Sequence, residues 1–178
     1  QTASGLTSSV ASVQTQVNNS AVGTNLLRGT SNEVQYYTST GQGPNETPSR
    51  DQMAGQSLEV GQTYTYSSYI SNTYGSGTIE VAIWDKDSNL LLTKNGNSIA
   101  QNDWGKSTVS FVVLENAYYF NFSAVRCADD VPSDVSMLMA WKKEKLEKGS
   151  VATDWSANPA DNATVTSVST LSNTVTGL

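Results

Sequence analysis

The sequence predicts an all-β protein: an antiparallel β-sandwich held between two short helical flanks. Three observations carry this. From about residue 25 to residue 159, apolar and aromatic residues recur with a period of two. Turn-forming clusters cut that stretch into short runs, and no amphipathic helical pattern interrupts them. The two ends have another rhythm, with apolar residues three and four apart in charge-free sequence.

The elements follow in chain order. Residues 1–27 hold no charge, and Leu6, Val10, Val13 and Val17 succeed one another at spacings of 4, 3 and 4, with Ala3 in register before them. That is an a/d stripe on a background of Ser, Thr, Asn and Gln, which are poor helix formers, so the helix needs partner chains. Val at both a and d leans toward three strands. The run 36–56 has three Gly and two Pro and reads as a long loop or irregular edge. Residues 63–71 set Tyr64, Tyr66, Ser68 and Ile70 against Thr65, Ser67 and Tyr69. Residues 78–84 set Ile79, Val81 and Ile83 against Glu80, Ala82 and Trp84. A short strand follows at 90–93, then 107–114 with Val109, Phe111 and Val113 on one side. Residues 117–127 oppose Phe120, Phe122 and Ala124 to Tyr119, Asn121 and Ser123, and 134–147 is a long last strand that becomes charged. Turns fall at 72–77, 85–89, 94–97, 114–117 and 129–134. Beyond Asp161 the charge-free tail places Val168, Leu171, Val175 and Leu178 at 3, 4 and 3, a second helical stripe. The expected organisation is a flank over 1–22, a sandwich over 23–160 and a flank over 161–178, with the sandwich inserted in a longer oligomeric fibre.

Composition narrows the function. The chain is 37% hydrophobic and only 15% charged, so its polar surface is mostly neutral. Its net charge is −6, with no basic stripe, which argues against nucleic acid and against an anionic membrane surface. No apolar run is long enough to span a bilayer, and no leader pattern starts at Gln1. There is no histidine, and Cys127 is the only cysteine. Ser-His-Asp and Cys-His catalysis, the commonest zinc sites and an internal disulfide framework are thereby excluded. The Asn-x-Ser/Thr triplets at Asn18, Asn45, Asn121 and Asn162 are what this composition produces by chance.

Four segments occur in a suggestive order: TNLLRGTS (24–31), LEVGQTYTYSSYI (58–70), NDWGKSTVSF (102–111) and KLEKGSVATDWSANPAD (145–161). Across roughly residues 24–161 the chain resembles the jelly-roll carbohydrate-binding modules of tail-fibre, tail-tip and baseplate proteins from phages of Gram-positive bacteria. The closing motif carries most of the likeness: an acidic residue, Gly149, Ala152-Thr153, Trp155, then Pro159. The resemblance implies a two-sheet jelly roll that grips host cell-wall polysaccharide without catalysis. It also implies fibre helices on either side, other phage tail proteins as neighbours, and a place in the virion at the tail tip; the two apolar stripes make a homotrimer the expected assembly. Trp155 is then expected to seal the last strand onto the sandwich, with Pro159 ending the sheet.

A saccharide presents C–H faces and hydroxyl edges, so its site needs exposed rings among hydrogen-bonding side chains. One candidate surface is the outward side of the strands, with Tyr69, Tyr119 and Asn121. The other is the loop rim, with Tyr74, Trp84, Asp85, Asn102 and Trp104. Each ring has a packing role as its plain alternative. Arg126 is expected to pair with Asp129 or Asp130. No cofactor is expected; Asp129, Asp130 and Asp134 form an oxygen-rich loop of the kind that holds structural calcium, although solvated turn chemistry explains them as well. A glycosidase would need two carboxylates at a set separation, for which Asp85/Asp87 and Glu144/Glu147 are the available pairs, all expected to lie on solvated faces. The readings rank as binding module, then ligand-free spacer of a trimeric fibre, then glycosidase. The overall negative charge favours a neutral saccharide.

Overall fold

Alternating side chains make a strand two-faced, and burying one face against a second sheet is how such a chain gains stability. The computed structural model describes residues 2–20, 23–43, 45–48 and 58–162. It contains α1 (Ala3–Ser20) and seven strands: β1 (Gln35–Thr40), β2 (Thr63–Asn72), β3 (Gly77–Trp84), β4 (Leu90–Asn95), β5 (Gly105–Val112), β6 (Tyr119–Cys127) and β7 (Ser136–Lys148). They form two antiparallel sheets, one ordered β1-β7-β2-β5 and one ordered β4-β3-β6. The β-sandwich expected from the alternation is therefore present. The first helical flank is a helix; the second stripe, Val168 to Leu178, lies outside the described residues.

The core is the one the alternation selects. Tyr64, Tyr66, Ile70, Val109 and Phe111 from the first sheet meet Ile79, Val81, Ile83, Phe120 and Phe122 from the second, all buried. Tyr66 and Phe111 span the gap, with ring centroids 5.0 and 6.2 Å from that of Phe122. Such tilted pairs suit the ring quadrupoles better than face-to-face stacking.

Two features differ from expectation. The predicted loop at 36–56 begins with an edge strand, β1, paired with β7 from Gln35↔Trp141 to Thr40↔Ser136. Ser39 is its one buried residue, so the strand carries almost no apolar signal. The other is in β7. Between Ser67↔Lys145 and Tyr69↔Lys142 the β7 strand holds one residue more than β2, a β-bulge. Lys143 occupies it with φ 59, in the left-handed region. The bulge reverses which parity faces inward. Met137 and Met139 are in the core before it, Leu146 after it. Glu144 consequently points inward, accepting from Tyr66 Oη at 2.8 Å and Trp141 Nε1 at 3.2 Å. Lys145 and Glu147 turn to the outer face, where they are nonetheless buried, not solvated as the charged sequence suggested.

What buries them is the chain's end. Gly149, at φ 112, lets the chain fold back over the sheet in a conformation that suits glycine. Thr153 then docks onto the pair: its backbone N and Oγ1 donate to the Glu147 carboxylate at 3.1 and 2.6 Å, and Lys145 Nζ lies 2.7 Å from Oγ1 and 2.6 Å from the Asp154 carbonyl. Burial holds the Lys145 ammonium below its ordinary pKa, while the adjacent Glu147 carboxylate pulls the other way. The closing segment is locked to the start of the sandwich by Asn25. Its buried amide donates to Thr30 Oγ1, the Glu144 carbonyl and the Ser156 carbonyl, and its Oδ1 accepts from Leu27 N and Leu146 N. Arg28 meets Asp161 at 3.2 Å close by.

Candidate functional site

The folded-back segment turns the outer face of the four-stranded sheet into one wall of a cleft. The cleft has a volume of about 540 Å³ and is lined by Asn32, Ser67, Tyr69, Lys106, Lys143, Thr153, Asp154 and Trp155. Register explains the grouping. Tyr69 on β2 faces Lys142 on β7 and Lys106 on β5 directly. The three side chains thus form one row across three strands on one face.

Trp104 precedes β5 and is carried by the turn that Asp103 N closes on the Ala100 carbonyl at 3.1 Å. It stacks on Tyr69 with centroids 5.9 Å apart and planes 14° from parallel. Lys142 Nζ stands 5.7 Å from both ring centroids, a cation–π arrangement. Trp104 is 41% exposed, so part of its ring is open to a ligand. Trp155, also in the lining, is half-buried and donates Nε1 to Thr30 Oγ1 at 3.1 Å. It does pin the chain's end, as the closing motif suggested, yet its ring also lines the cleft.

The other predicted residues lie elsewhere. Trp84 and Tyr119 are direct cross-strand partners on the outer face of the three-stranded sheet, with Asn121 opposite Ala82 beside them. The core separates them from Tyr69 and Trp104, so the eight candidates do not form one site. Tyr119, 39% exposed, packs edge-on against Tyr118 at 4.7 Å. Tyr74 is half-buried against the core, which removes it from the exposed rim. Asp85 is engaged by its own turn: Oδ1 accepts from Asp87 N and Asn89 N, and Oδ2 from Asn89 Nδ2. Asn102 sits in the turn before Trp104, at φ 65. Arg126 pairs with Glu80 and, at 4.0 Å, with Glu46, not with Asp129 or Asp130. Glu80 has its pKa raised by burial, with Arg126 opposing that shift. Asp129 Oδ2 accepts from Ser76 N and Ser76 Oγ, so it ties one loop to another. Glu144 and Glu147 point to opposite faces of the sheet, each engaged by structural donors, a geometry that does not bring two carboxylates across a glycosidic bond.

The residues that sequence reasoning missed are Asn32, Lys106, Lys142, Lys143, Thr153 and Asp154. Lys142 and Lys106 carried a signal only in hindsight of register, since they alternate with core positions on strands far apart in sequence.

No family model and no curated protein matches the chain. Solved structures do. The tripod from the baseplate of bacteriophage Tuc2009 aligns with a TM-score of 0.51 at 16% identity, over 81% of this chain and 64% of that one. The CBM22-1–GH10 modules of Clostridium thermocellum xylanase 10B, complexed with xylohexaose, align with a TM-score of 0.44 at 12% identity, over 71% of this chain and 26% of that one. The C-terminal family 22 carbohydrate-binding module of the same xylanase gives 0.38 at 14% identity, over 67% and 84%. The chain thus spans about a quarter of the two-module xylanase chain and just under two thirds of the baseplate chain. At these identities the likeness to the baseplate tripod shows a shared β-sandwich fold.

Proposed function

We propose that this chain is a non-catalytic saccharide-binding module of the jelly-roll class, carried on a homotrimeric phage tail fibre that attaches to host cell-wall polysaccharide. The observation that carries the reading is the Tyr69–Trp104 stack beside a cleft that Tyr69 and Trp155 both line. Aromatic rings in and beside the cleft, together with Asn32, Ser67, Thr153 and Lys143 of its lining, match the C–H faces and hydroxyl edges of a sugar chain. The fold shared with a phage baseplate protein, the charge-free flanks and the closing motif support the setting: a virion tail, other tail proteins as neighbours, and action at the extracellular surface of a Gram-positive host.

A fluorescent fusion of the full chain tests this on intact cells and on purified wall polysaccharide. The parent should decorate cells; Trp104→Ala should lose most of that signal at an unchanged melting temperature. Trp84→Ala with Tyr119→Ala, on the opposite face, should decorate as the parent does. Loss confined to the Trp84/Tyr119 variant would move the site to the three-stranded sheet. Failure of the parent on every host wall tried would leave a ligand-free spacer.

A further inference from the structure

Although the chain as a whole is acidic, the cleft is not. Its lining contains Lys106 and Lys143, and Lys142 stands at its Tyr69 edge. Against these three ammonium groups the lining has one carboxylate side chain, Asp154. The other acid beneath the cleft, Glu147, is fully buried and matched by Lys145 at 3.7 Å. Among the described residues, none of Lys106, Lys142 and Lys143 forms a salt bridge. Lys106 donates one N–H to the Thr153 carbonyl at 2.9 Å, which leaves an ammonium group two further donors.

We infer that the cleft takes an anionic saccharide, one whose sugar units carry carboxylate or phosphate groups. This rests on the saccharide-binding reading above and specifies its ligand class. The geometry is a ring between two charges. Lys142 and Lys106 flank Tyr69 in direct register on neighbouring strands, so their backbones lie about 9–10 Å apart, twice the strand spacing. A sugar ring laid against the Tyr69–Trp104 stack would have a cation on each side. Lys143, at the bulge, also lines the cleft. The net charge of −6 does not oppose this. At physiological ionic strength, charges farther than about 8 Å are largely screened, so a bound anion responds mainly to the lysines it touches. The local arrangement thereby replaces the neutral preference that the overall charge suggested.

The test uses the full chain and four probes: an oligogalacturonate, its methyl ester, a poly(glycerol phosphate) and a neutral xylo-oligosaccharide. The ester keeps the sugar ring and removes the charge. The expected result is that the free acid or the phosphate polymer binds about tenfold or more tighter than the ester and the neutral sugar, and that raising salt from about 50 to about 500 mM erases most of the gap. Which of the two anions binds separates carboxylate from phosphodiester ligands. Lys142→Met with Lys143→Met should abolish the charge preference and the salt dependence while leaving the melting temperature in place. Equal, salt-independent binding of acid and ester would overturn the anionic inference and keep the saccharide reading. Binding of an anion that survives Trp104→Ala undiminished would reduce the cleft to a simple charge patch and overturn it too. No binding of any probe, charged or neutral, would sink both.

Discussion

Thr153 is a small residue on which two buried charges converge. Its hydroxyl lies within 2.7 Å of Lys145 Nζ and 2.6 Å of Glu147 Oε1, acting as acceptor to one and donor to the other. Both charges are out of water, so losing that bridge leaves each short of a partner in a medium that penalises it. Thr153→Val keeps the shape and removes the hydroxyl. It should lower stability by about 2–4 kcal/mol in urea unfolding, whereas Thr153→Ser should retain most of it. A midpoint unchanged in the Val variant would show that the hydroxyl is dispensable. Asp85 supplies a second case, this time in pH. Hydrogen bonds from the Asn89 side chain and backbone, then from Asp87 N, hold its carboxyl below the usual 3.8. A group depressed in the folded state contributes stability above its unfolded pKa and loses it as pH falls through the folded one. The melting temperature of Asp85→Asn should therefore fall short of the parent's by a constant margin near neutrality. That margin should close as pH drops below 3.8. A margin independent of pH down to strong acid would show that the charge has no part in holding the turn.

At the scale of elements, how much could be read from the sequence depended on whether the signal was local. β2, β3, β5 and β6 lie close to where their alternation put them, because each has one continuous apolar face. β1 was not legible, since a polar edge strand with one buried residue looks like the loop that follows it. β7 was legible as a strand but not in its facing. One extra residue at Lys143 reverses the parity, and nothing in a run of Lys and Glu marks where the reversal falls. The burial of Glu144, Lys145 and Glu147 followed from that bulge and from a segment that folds back only in three dimensions. The same reasoning applies to the cleft. Tyr69 and Trp104 were recognisable singly as rings outside the core. That they stack, and that lysines flank Tyr69, depends on register between strands 35 or more residues apart. Trp84 and Tyr119 were misgrouped with them because alternation reports which side of its own sheet a residue faces, and not which sheet.

At the scale of the whole molecule, the sandwich begins and ends in one place. Asn25 bonds to the Ser156 carbonyl, and Arg28 to Asp161, so the first and last described segments of the sandwich lie side by side. The flank that can be described has an unmet need. Leu6, Val10 and Val13 of α1 are 36%, 38% and 56% exposed, on a helix of Ser, Thr, Asn and Gln. Such a sequence has weak intrinsic helicity, and in the proposed trimer it would gain stability by burying that stripe against copies of itself. Assembly also matters for binding. A single cleft with a few rings and hydrogen bonds is expected to hold saccharide at about millimolar Kd, near −4 kcal/mol. On the proposed trimer, three clefts would raise the apparent affinity by orders of magnitude through effective concentration alone. Sedimentation of the full chain should show a mass rising with concentration from 19.0 kDa toward about three times that value. Val10→Asp with Val13→Asp should hold it at one chain, leave the melting of the sandwich unchanged, and cut binding to multivalent wall polysaccharide far more than binding to a short oligosaccharide. A chain that stays monomeric up to millimolar concentration, or a double variant that assembles as the parent does, would rule out α1 as the trimer's seam.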